Sequence, residues 1–170
     1  MNKKNLKHIL SIMVDNEPGV LARVVGLFSG RGYNIESLSV SEVDSHKFLS
    51  RITVVTSGTK IIVDQIKAQL AKLIPVHNLV DITELKSFIG KELILIKLDV
   101  KNKKTFDLKK KLERLGAKIL EENDLEIIVQ FTGSPNEVKK IENILQPYKI
   151  IEQTRSGLVS MATGTDYIKK

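Results

Sequence analysis

The order of strand-like and helix-like segments constrains the fold of this chain more than any other feature of its sequence. Hydrophobic periodicity predicts strand–helix–strand–strand–helix–strand in the first half, with strands over residues 8–14, 34–43, 48–56 and 76–84. The same order recurs in the second half, with strands over residues 92–99, 117–122 and 125–132 and a last one from near Tyr148. Because crossover connections are right-handed, each half is predicted to be ferredoxin-like, an antiparallel four-stranded sheet with two helices on one face. The predicted fold class is therefore α+β.

The two halves predict two domains, residues 1–86 and 87–170, because the first set of elements closes by residue 84. A length of 170 residues gives room for one ordinary domain or for two small ones. Units of about 80 residues are small, but they are long enough to bury a core of their own. Sequence identity between the halves is slight, so we interpret the repeat as one of architecture.

The absence of cysteine excludes disulfides and thiolate metal sites, and it is typical of proteins of the reducing cytoplasm. No run approaches the roughly 18 apolar residues that a membrane-spanning helix needs. Ser11 and Asp15 interrupt the apolar stretch near the start, which argues against a secretory signal. We therefore expect a cytoplasmic protein with no membrane partner.

A net charge of +7 makes nucleic acid a partner to test. The excess of basic residues is spread evenly over both halves and forms no basic arm. RNA-recognition domains share the predicted order of elements, but they stack bases on aromatic residues of their central strands. Here the third strand carries Phe48 as its one aromatic residue, and aromatic residues make up only 5% of the chain. We therefore predict no nucleic-acid partner and keep an RNA-binding protein as a minor alternative.

No set of residues in the sequence assembles a catalytic or metal site. The three histidines, His8, His46 and His77, are isolated on predicted strands or turns. The Gly-x-Ser-x-Gly motif of serine hydrolases is missing, and the glycines lack the spacing of a phosphate-binding or dinucleotide-binding loop. We therefore predict a protein with no catalytic residues of its own and no metal site.

The most informative segment runs from Asp15 to Leu38 and spans the first predicted helix. Gly19, beside the helix start, lets backbone N–H groups approach a ligand without a Cβ in the way, and such N–H groups favour a carboxylate. Asn16 precedes the helix and Asn34 opens the next strand, so both amides are expected near one sheet edge, where they suit a zwitterion. An equally good alternative is that Asn16 caps the helix and Asn34 tolerates a turn.

This segment closely resembles an ACT domain, the ferredoxin-like module that senses amino acids. More narrowly, the runs Asn16–Leu21 and Arg31–Leu38 are similar to those of the regulatory (small) subunits of acetohydroxyacid synthase, also called acetolactate synthase. The similarity continues through Leu49-Ser50-Arg51 and returns near the end as Arg155-Ser156-Gly157. Because length and the two-unit layout also agree, the resemblance covers nearly the whole chain.

The resemblance implies regulation without catalysis. Members of this family bind a catalytic large subunit, raise its activity and confer feedback inhibition by valine or a related branched-chain amino acid. The large subunit holds thiamine diphosphate, FAD and Mg²⁺, so the resemblance implies no cofactor in this chain. The nearest alternative is a two-unit ACT protein that regulates another pathway.

The effector site of the family lies between two ACT domains, and its loop asparagine, helix-start glycine and second-strand asparagine correspond here to Asn16, Gly19 and Asn34. We expect the carboxylate of the ligand at backbone N–H groups near Gly19 and Val20, and its ammonium at the two asparagine oxygens. Leu21 and Ile35 are the expected apolar wall. The predicted site, shared across two chains, comprises Asn16, Gly19, Val20, Leu21, Asn34 and Ile35.

The resemblance also implies a homodimer, because ACT domains of the family pair side by side through a sheet edge. Residues 34–43 are the predicted edge strand. Along this segment Leu38 and Val40 share a face whereas Ile35 and Val43 do not, which predicts a β-bulge.

Overall fold

A computed structural model describes residues 6–101 and 104–164 of the chain. The outer ends of the predicted domains, residues 1–5 and 165–170, lie outside the described ranges. Helices and strands follow the predicted order in both halves, and the predicted α+β class is confirmed. None of the helices within the described ranges is long and apolar enough to cross a membrane.

The chain forms two compact units, the first made of Met1–Ile89 together with Leu158–Lys170 and the second of Gly90–Gly157. This division differs from the predicted one at residue 86, because the chain returns to the first unit after Gly157. The reason is hydrophobic: Leu158 is buried in a small cluster of the first unit.

The first unit contains a four-stranded sheet and two helices. Its elements are β1 (Leu6–Asp15), α1 (Val20–Ser29), β2 (Ser37–Asp44), β3 (Leu49–Gly58), α2 (Lys60–Leu70), β4 (Val76–Asp81) and a short 3₁₀ helix (Ile82–Glu84). The strand order is β2-β3-β1-β4 and every pair is antiparallel. The central strand β1 pairs with β3 along its whole length, from Leu6 opposite Gly58 to Asp15 opposite Leu49.

Helices α1 and α2 cover one face of this sheet. Alternate residues of β1 and β3 point toward the helices, because side chains alternate between the two faces of a strand. Burying one such aliphatic side chain contributes about 1.5–3 kcal/mol, which opposes the loss of chain entropy. The buried cluster comprises Leu10, Ile12, Val14, Val20, Val24, Phe28, Ile52, Val54, Val63, Ile66 and Leu70.

The second unit repeats the arrangement. Its elements are β5 (Phe88–Asp99), α3 (Phe106–Arg114), β6 (Lys118–Glu122), β7 (Glu126–Gly133), α4 (Pro135–Leu145) and β8 (Lys149–Arg155), and the strand order is β6-β7-β5-β8. Helix α4 begins with a capping box, in which the Ser134 N–H donates to the Glu137 carboxylate and the Glu137 N–H donates to Ser134 Oγ. A ninth strand, β9 (Val159–Ala162), was not predicted from the sequence. It belongs to the part of the chain that returns to the first unit, and it pairs with β5.

Two predicted boundaries near the candidate site are wrong. Pro18 was expected in the first turn of the helix, but α1 begins at Val20, because Gly19 adopts a left-handed backbone (φ 85°) before it. The second strand was expected from residue 34, but β2 begins at Ser37, so Asn34 and Ile35 lie in the preceding loop.

Strand β2 lies at one edge of the first sheet. Its pairing register with β3 shifts between Glu42 and Asp44, so the predicted β-bulge is confirmed and falls at Val43. Val40 and Val43 are both exposed on this strand, Val40 by 43%. The edge of the sheet therefore combines apolar side chains with the irregularity that the sequence pattern indicated.

Candidate effector-binding site

The start of helix α1 offers backbone donors that the described part of the chain leaves without a partner. Gly19 is the N-cap residue, and no side chain caps the helix. The Val20 N–H reaches the Glu17 carbonyl at 3.3 Å, whereas the N–H groups of Gly19, Leu21 and Ala22 have no acceptor among the described residues. Unpaired N–H groups at a helix start carry the positive end of the helix dipole, so they favour a carboxylate.

Gly19 serves this site through its backbone conformation. Its φ of 85° lies in the left-handed region, and a Cβ built there would meet no atom within 4 Å. The glycine is therefore required by the turn and not by crowding. A side chain at this position would stand in open space in front of the helix start, where a ligand carboxylate is expected.

Asn16 does not cap helix α1, which removes one of the two readings that the sequence left open. Its side chain is exposed, and its backbone N–H donates to the Phe48 carbonyl at 2.6 Å. The neighbouring Asp15 N–H donates to the Pro75 carbonyl at 3.0 Å, and its carboxylate pairs with His77 Nε2 at 2.5 Å. The backbone around Asn16 is thus held on two sides while its amide stays accessible.

Asn34 is held by its own backbone carbonyl, which accepts a hydrogen bond from Thr56 Oγ1 at 2.7 Å. The left-handed position of this turn is occupied by Gly32, with a φ of 69°. Phe48 is the one non-glycine residue with a positive φ among the described residues, so Asn34 is not there to adopt a left-handed turn. Its amide is exposed, like that of Asn16.

The structure does not bring Asn16 and Asn34 together within one chain, contrary to the expectation that they meet near one sheet edge. Asn16 follows Asp15, which pairs with Leu49 at the start of β3. Asn34 precedes Ser37, which pairs with Val55 near the other end of the same strand. Six residues of an extended strand separate the two ends, which is roughly 20 Å. One small amino acid cannot contact both amides of the same chain.

The expected apolar wall is divided in the same way. Leu21 is 40% exposed in the first turn of α1, at the Asn16 end. Ile35 is half-buried against the core at the Asn34 end. The Val20 side chain is buried in that core, so only its backbone can face a ligand. One end of the unit therefore carries four of the predicted site residues and the other end carries two, namely Asn34 and Ile35.

Sequence reasoning missed Glu36, which supplies a negative charge at the Asn34 end. Ser57 Oγ donates a hydrogen bond to the Glu36 carboxylate and, together with Lys7 at 3.1 Å, lowers the pKa of that group. An ionised carboxylate two residues from Asn34 is a suitable acceptor for an ammonium group. The signal was present, because Glu36 belongs to the Asn-Ile-Glu-Ser run that carries the family resemblance.

Phe48 is the second residue that sequence reasoning missed at this site. It has a left-handed φ of 51°, the residue is 68% exposed, and its carbonyl accepts a hydrogen bond from the Asn16 N–H. A bulky residue in this conformation costs about 1 kcal/mol, and such strain is concentrated at functional positions. The sequence predicts the turn before it, but it holds no signal for the positive φ.

Comparisons with family models cover both units. Residues 10–78 match the AHAS small subunit-like ACT domain, and residues 91–164 match the small subunit of acetolactate synthase. Both matches agree with the resemblance inferred from the residue runs. Within the described residues, no group of three His, Cys, Asp or Glu side chains is placed to hold a metal ion.

The similarity to the proteins named below covers nearly the full length of this chain and of each relative. The acetolactate synthase small subunit of Buchnera aphidicola subsp. Schizaphis graminum (strain Sg) is 37% identical over 94% of this chain and all of its own length. The probable small subunit of Archaeoglobus fulgidus is 36% identical, with 94% of this chain and 98% of its own covered. The crystal structure of the Thermotoga maritima small subunit superposes with a TM-score of 0.85 at 30% identity, covering 95% of this chain and 99% of that one.

Proposed function

Because the chain belongs to the family of acetolactate synthase small subunits, the non-catalytic regulatory subunits of that enzyme, we propose that it binds a catalytic large subunit and raises its activity. We further propose that it confers feedback inhibition by valine in branched-chain amino acid biosynthesis. Thiamine diphosphate, FAD and Mg²⁺ then belong to the catalytic partner, and this chain contributes regulation alone. A cytoplasmic location stays a prediction from the cysteine-free sequence.

The observation that carries the effector proposal is the uncapped start of α1 beside an accessible asparagine. A carboxylate there meets the unpartnered N–H groups of Gly19, Leu21 and Ala22, and each charge-assisted hydrogen bond contributes about 1.5–3 kcal/mol. The exposed side chain of Leu21, in the same turn, offers an apolar surface to a branched aliphatic group. Burying an isopropyl group there contributes roughly 1.5–3 kcal/mol and favours valine over alanine.

A second copy of the chain would complete the site. When two copies pair through β2 about a two-fold axis, their edge strands run antiparallel. The start of β2 in one copy then lies beside the end of β2 in the other. Since β2 starts at the Asn34 end and finishes at the Asn16 end, this pairing brings Asn34 and Glu36 of one copy toward Gly19 of the other.

The ammonium of the ligand needs acceptors, and this arrangement supplies three. Asn16 from one copy and Asn34 from the other contribute amide oxygens, and Glu36 contributes a carboxylate. These contacts oppose the loss of ligand freedom, so a dissociation constant between about a micromolar and a millimolar is expected. The exposed Val40 and Val43 on β2 support the pairing, because apolar side chains on an edge strand favour association.

The test is co-purification of this chain with the thiamine-diphosphate-dependent synthase of its own cell, followed by an assay of acetolactate formation with and without valine. We expect the chain to raise the rate and valine to lower the raised rate toward that of the catalytic subunit alone. Leucine and isoleucine serve as comparison effectors, and alanine as a control with too small a side chain. Stimulation without any effector response would leave the subunit role standing and overturn the feedback role.

A further inference from the structure

Residues 158–164, here called the strap, return from the second unit to the first and cover the sheet face opposite α1 and α2. Leu158 is only 4% exposed, and it closes a cluster with Ile9, Val55 and Ile82. Ile9 and Val55 are offset by one position from the strand residues that face the helices, so they point to the other side of the sheet. The strap therefore buries apolar surface that the helices cannot reach.

The strap lies on the first unit with one face inward. Ser160 is buried, whereas Val159 and Met161 on either side of it are more than half exposed. This alternation is what a half-buried strand produces. Val159 can therefore serve as a control for the buried residues of the strap, because it lies in the same segment but its side chain is exposed.

Arg51 links the strap to the sheet through hydrogen bonds. Its Nε donates to Ser11 Oγ at 2.7 Å, and its Nη2 donates to the Ser160 carbonyl at 3.0 Å. Burial lowers the pKa of the Arg51 guanidinium, so these bonds replace water around a partly desolvated cation. Releasing the strap would remove one of the two hydrogen-bond partners that Arg51 has among the described residues.

Ser37 connects the strap to the candidate effector site. Its Oγ accepts the Leu158 N–H at 2.9 Å, and it is the first residue of β2, three positions after Asn34. Between them, the Glu36 N–H donates to the Val55 carbonyl at 2.8 Å. A ligand that draws Asn34 or Glu36 toward itself therefore acts on the same short segment that holds the strap.

The Arg155-Ser156-Gly157 run, which the resemblance singles out, forms the exit from the second unit. Arg155 Nη2 pairs with Glu92 at 2.6 Å, and the Ser156 N–H donates to the Leu93 carbonyl at 3.0 Å. Gly157 follows with a φ of 77°, a conformation that favours glycine. Ser156, two positions before Leu158, is thus hydrogen-bonded to strand β5.

We propose that the strap relays the ligand state of the first unit to the second unit, with Ser37 and Leu158 as the contact that couples them. The inference rests on the proposed feedback function and deepens it by naming the path. A ligand can shift the strap only if it binds the seated and released states with different affinity. Valine bound at Asn34 and Glu36 would meet that condition if its binding shifts the start of β2, because Ser37, which accepts the Leu158 N–H, moves with β2.

The experiment compares two coupling variants with two matched controls in the full-length chain. Leu158→Ala removes the buried anchor and Ser37→Ala removes the acceptor, whereas Val159→Ala and Ser41→Ala change exposed residues of the strap and of β2. Each variant is tested for valine binding by calorimetry and, with the catalytic subunit, for activation and for valine inhibition. Hydrogen exchange of residues 158–162 reports directly whether the strap is seated.

For both coupling variants we expect activation to persist and valine to bind within about threefold of the wild-type affinity, while half-inhibition needs at least about tenfold more valine. Faster exchange in the strap should accompany that loss, and both controls should behave like the wild type. Ser37→Ala is the smaller change and decides the question if Leu158→Ala lowers the yield of folded protein. Wild-type inhibition in Ser37→Ala, with its strap exchanging faster, would overturn the proposal. A wild-type chain that shows no valine response would instead overturn the proposed function on which it rests.

Discussion

Asn16 and Asn34 lie at opposite ends of strand β3, about 20 Å apart along it, although both belong to the segment that resembles an effector site. The separation follows from the fold, since α1 runs the length of the sheet between the two loops. An effector site that uses both amides must therefore be built from two chains. This relationship makes the composition of the site testable without a ligand-bound structure.

Mixing two defective variants should restore effector binding. Asn16→Ala and Asn34→Ala are each expected to weaken valine binding by about tenfold or more in a homodimer, since both sites lose one hydrogen bond to the ligand. In a mixed dimer one site carries both changes and the other carries neither. The two variants are refolded together and valine binding is measured by calorimetry. About half of the valine sites in the mixed dimers should bind with wild-type affinity.

The control for this experiment is the double variant Asn16→Ala/Asn34→Ala mixed with the wild type. Its mixed dimers carry one change in each site, so they should contain no intact site. If the two single variants recover no tight binding on mixing, the two amides do not act in one shared site.

Gly19→Asp should abolish inhibition by valine while the protein stays folded. The new carboxylate would stand in open space at the start of α1, where it competes with the ligand carboxylate for the same N–H groups and repels it. Asp tolerates a left-handed backbone better than most residues, so the helix is expected to form. The measurement is the valine concentration for half-inhibition, with an expected rise of about a hundredfold.

Gly19→Asn separates charge from shape at this position. Its side chain has nearly the same size and the same tolerance of positive φ, but it carries no charge. We expect it to weaken inhibition less than Gly19→Asp does. Unchanged valine inhibition in both variants would exclude the helix start as the carboxylate site.

Val40→Lys should convert the proposed homodimer to monomers. Val40 lies on edge strand β2, and a lysine there places like charges opposite each other across a two-fold strand pairing. Sedimentation at micromolar concentration should show a dimer for the wild type and at least about a tenfold weaker association for the variant. Ile74→Lys, at an exposed loop residue away from β2, is the matched control and should remain dimeric.

A fragment of residues 1–86 should fold less stably than the same elements in the full chain. It keeps the predicted first domain but lacks Leu158, so Ile9, Val55 and Ile82 lose their cover. Losing a buried leucine contact of this size costs about 2–5 kcal/mol. Denaturant unfolding should show the loss, and the fragment should still contact the catalytic subunit while transmitting feedback poorly. Full valine inhibition with the fragment would show that feedback does not require residues 87–170.

The second unit should lose stability in acid through Glu137. Hydrogen bonds from the Ser134 backbone and side chain, together with Lys91, lower the pKa of Glu137 from 4.5 to about 2. A lowered folded-state pKa stabilises the fold above the unfolded value, and that contribution is lost as the pH falls from 4.5 toward about 2. Thermal unfolding of wild type and Glu137→Gln should converge over this window, since the glutamine keeps the cap geometry without the charge.

Sequence patterns predicted the elements well where many residues repeat a local period. The apolar positions of β5 and α4 recur at strand or helix spacing over about ten residues, and their buried residues follow the same period. Strand β1 was identified by a continuous apolar run, and it is buried on both faces. The turn at Gly19 was also readable as a special position, but its left-handed conformation displaced Pro18 from the helix. Local signals therefore located the site residues but not every boundary.

What the sequence could not predict depends on contacts between distant residues. Strand β9 is four residues long, too short for a periodic signal, and the burial of Leu158 just before it against Ile9 and Val55 joins positions far apart in the chain. The placement of Asn16 and Asn34 at opposite ends depends on the lengths of α1 and β3, which no single residue encodes. The positive φ of Phe48 is likewise set by the hairpin and by the Asn16 hydrogen bond, not by its own preference.

The late position of Leu158 in the chain has a consequence during synthesis. A ribosome releases the whole second unit before it releases the residue that closes the cluster of Ile9, Val55 and Ile82. Domains generally fold from the amino terminus as they emerge, so the first sheet forms while this apolar patch still faces solvent. The nascent chain therefore exposes an apolar surface until residues 90–157 have been synthesised. At about 5–20 residues per second this takes several seconds. Chaperones that recognise exposed aliphatic side chains have that interval in which to act.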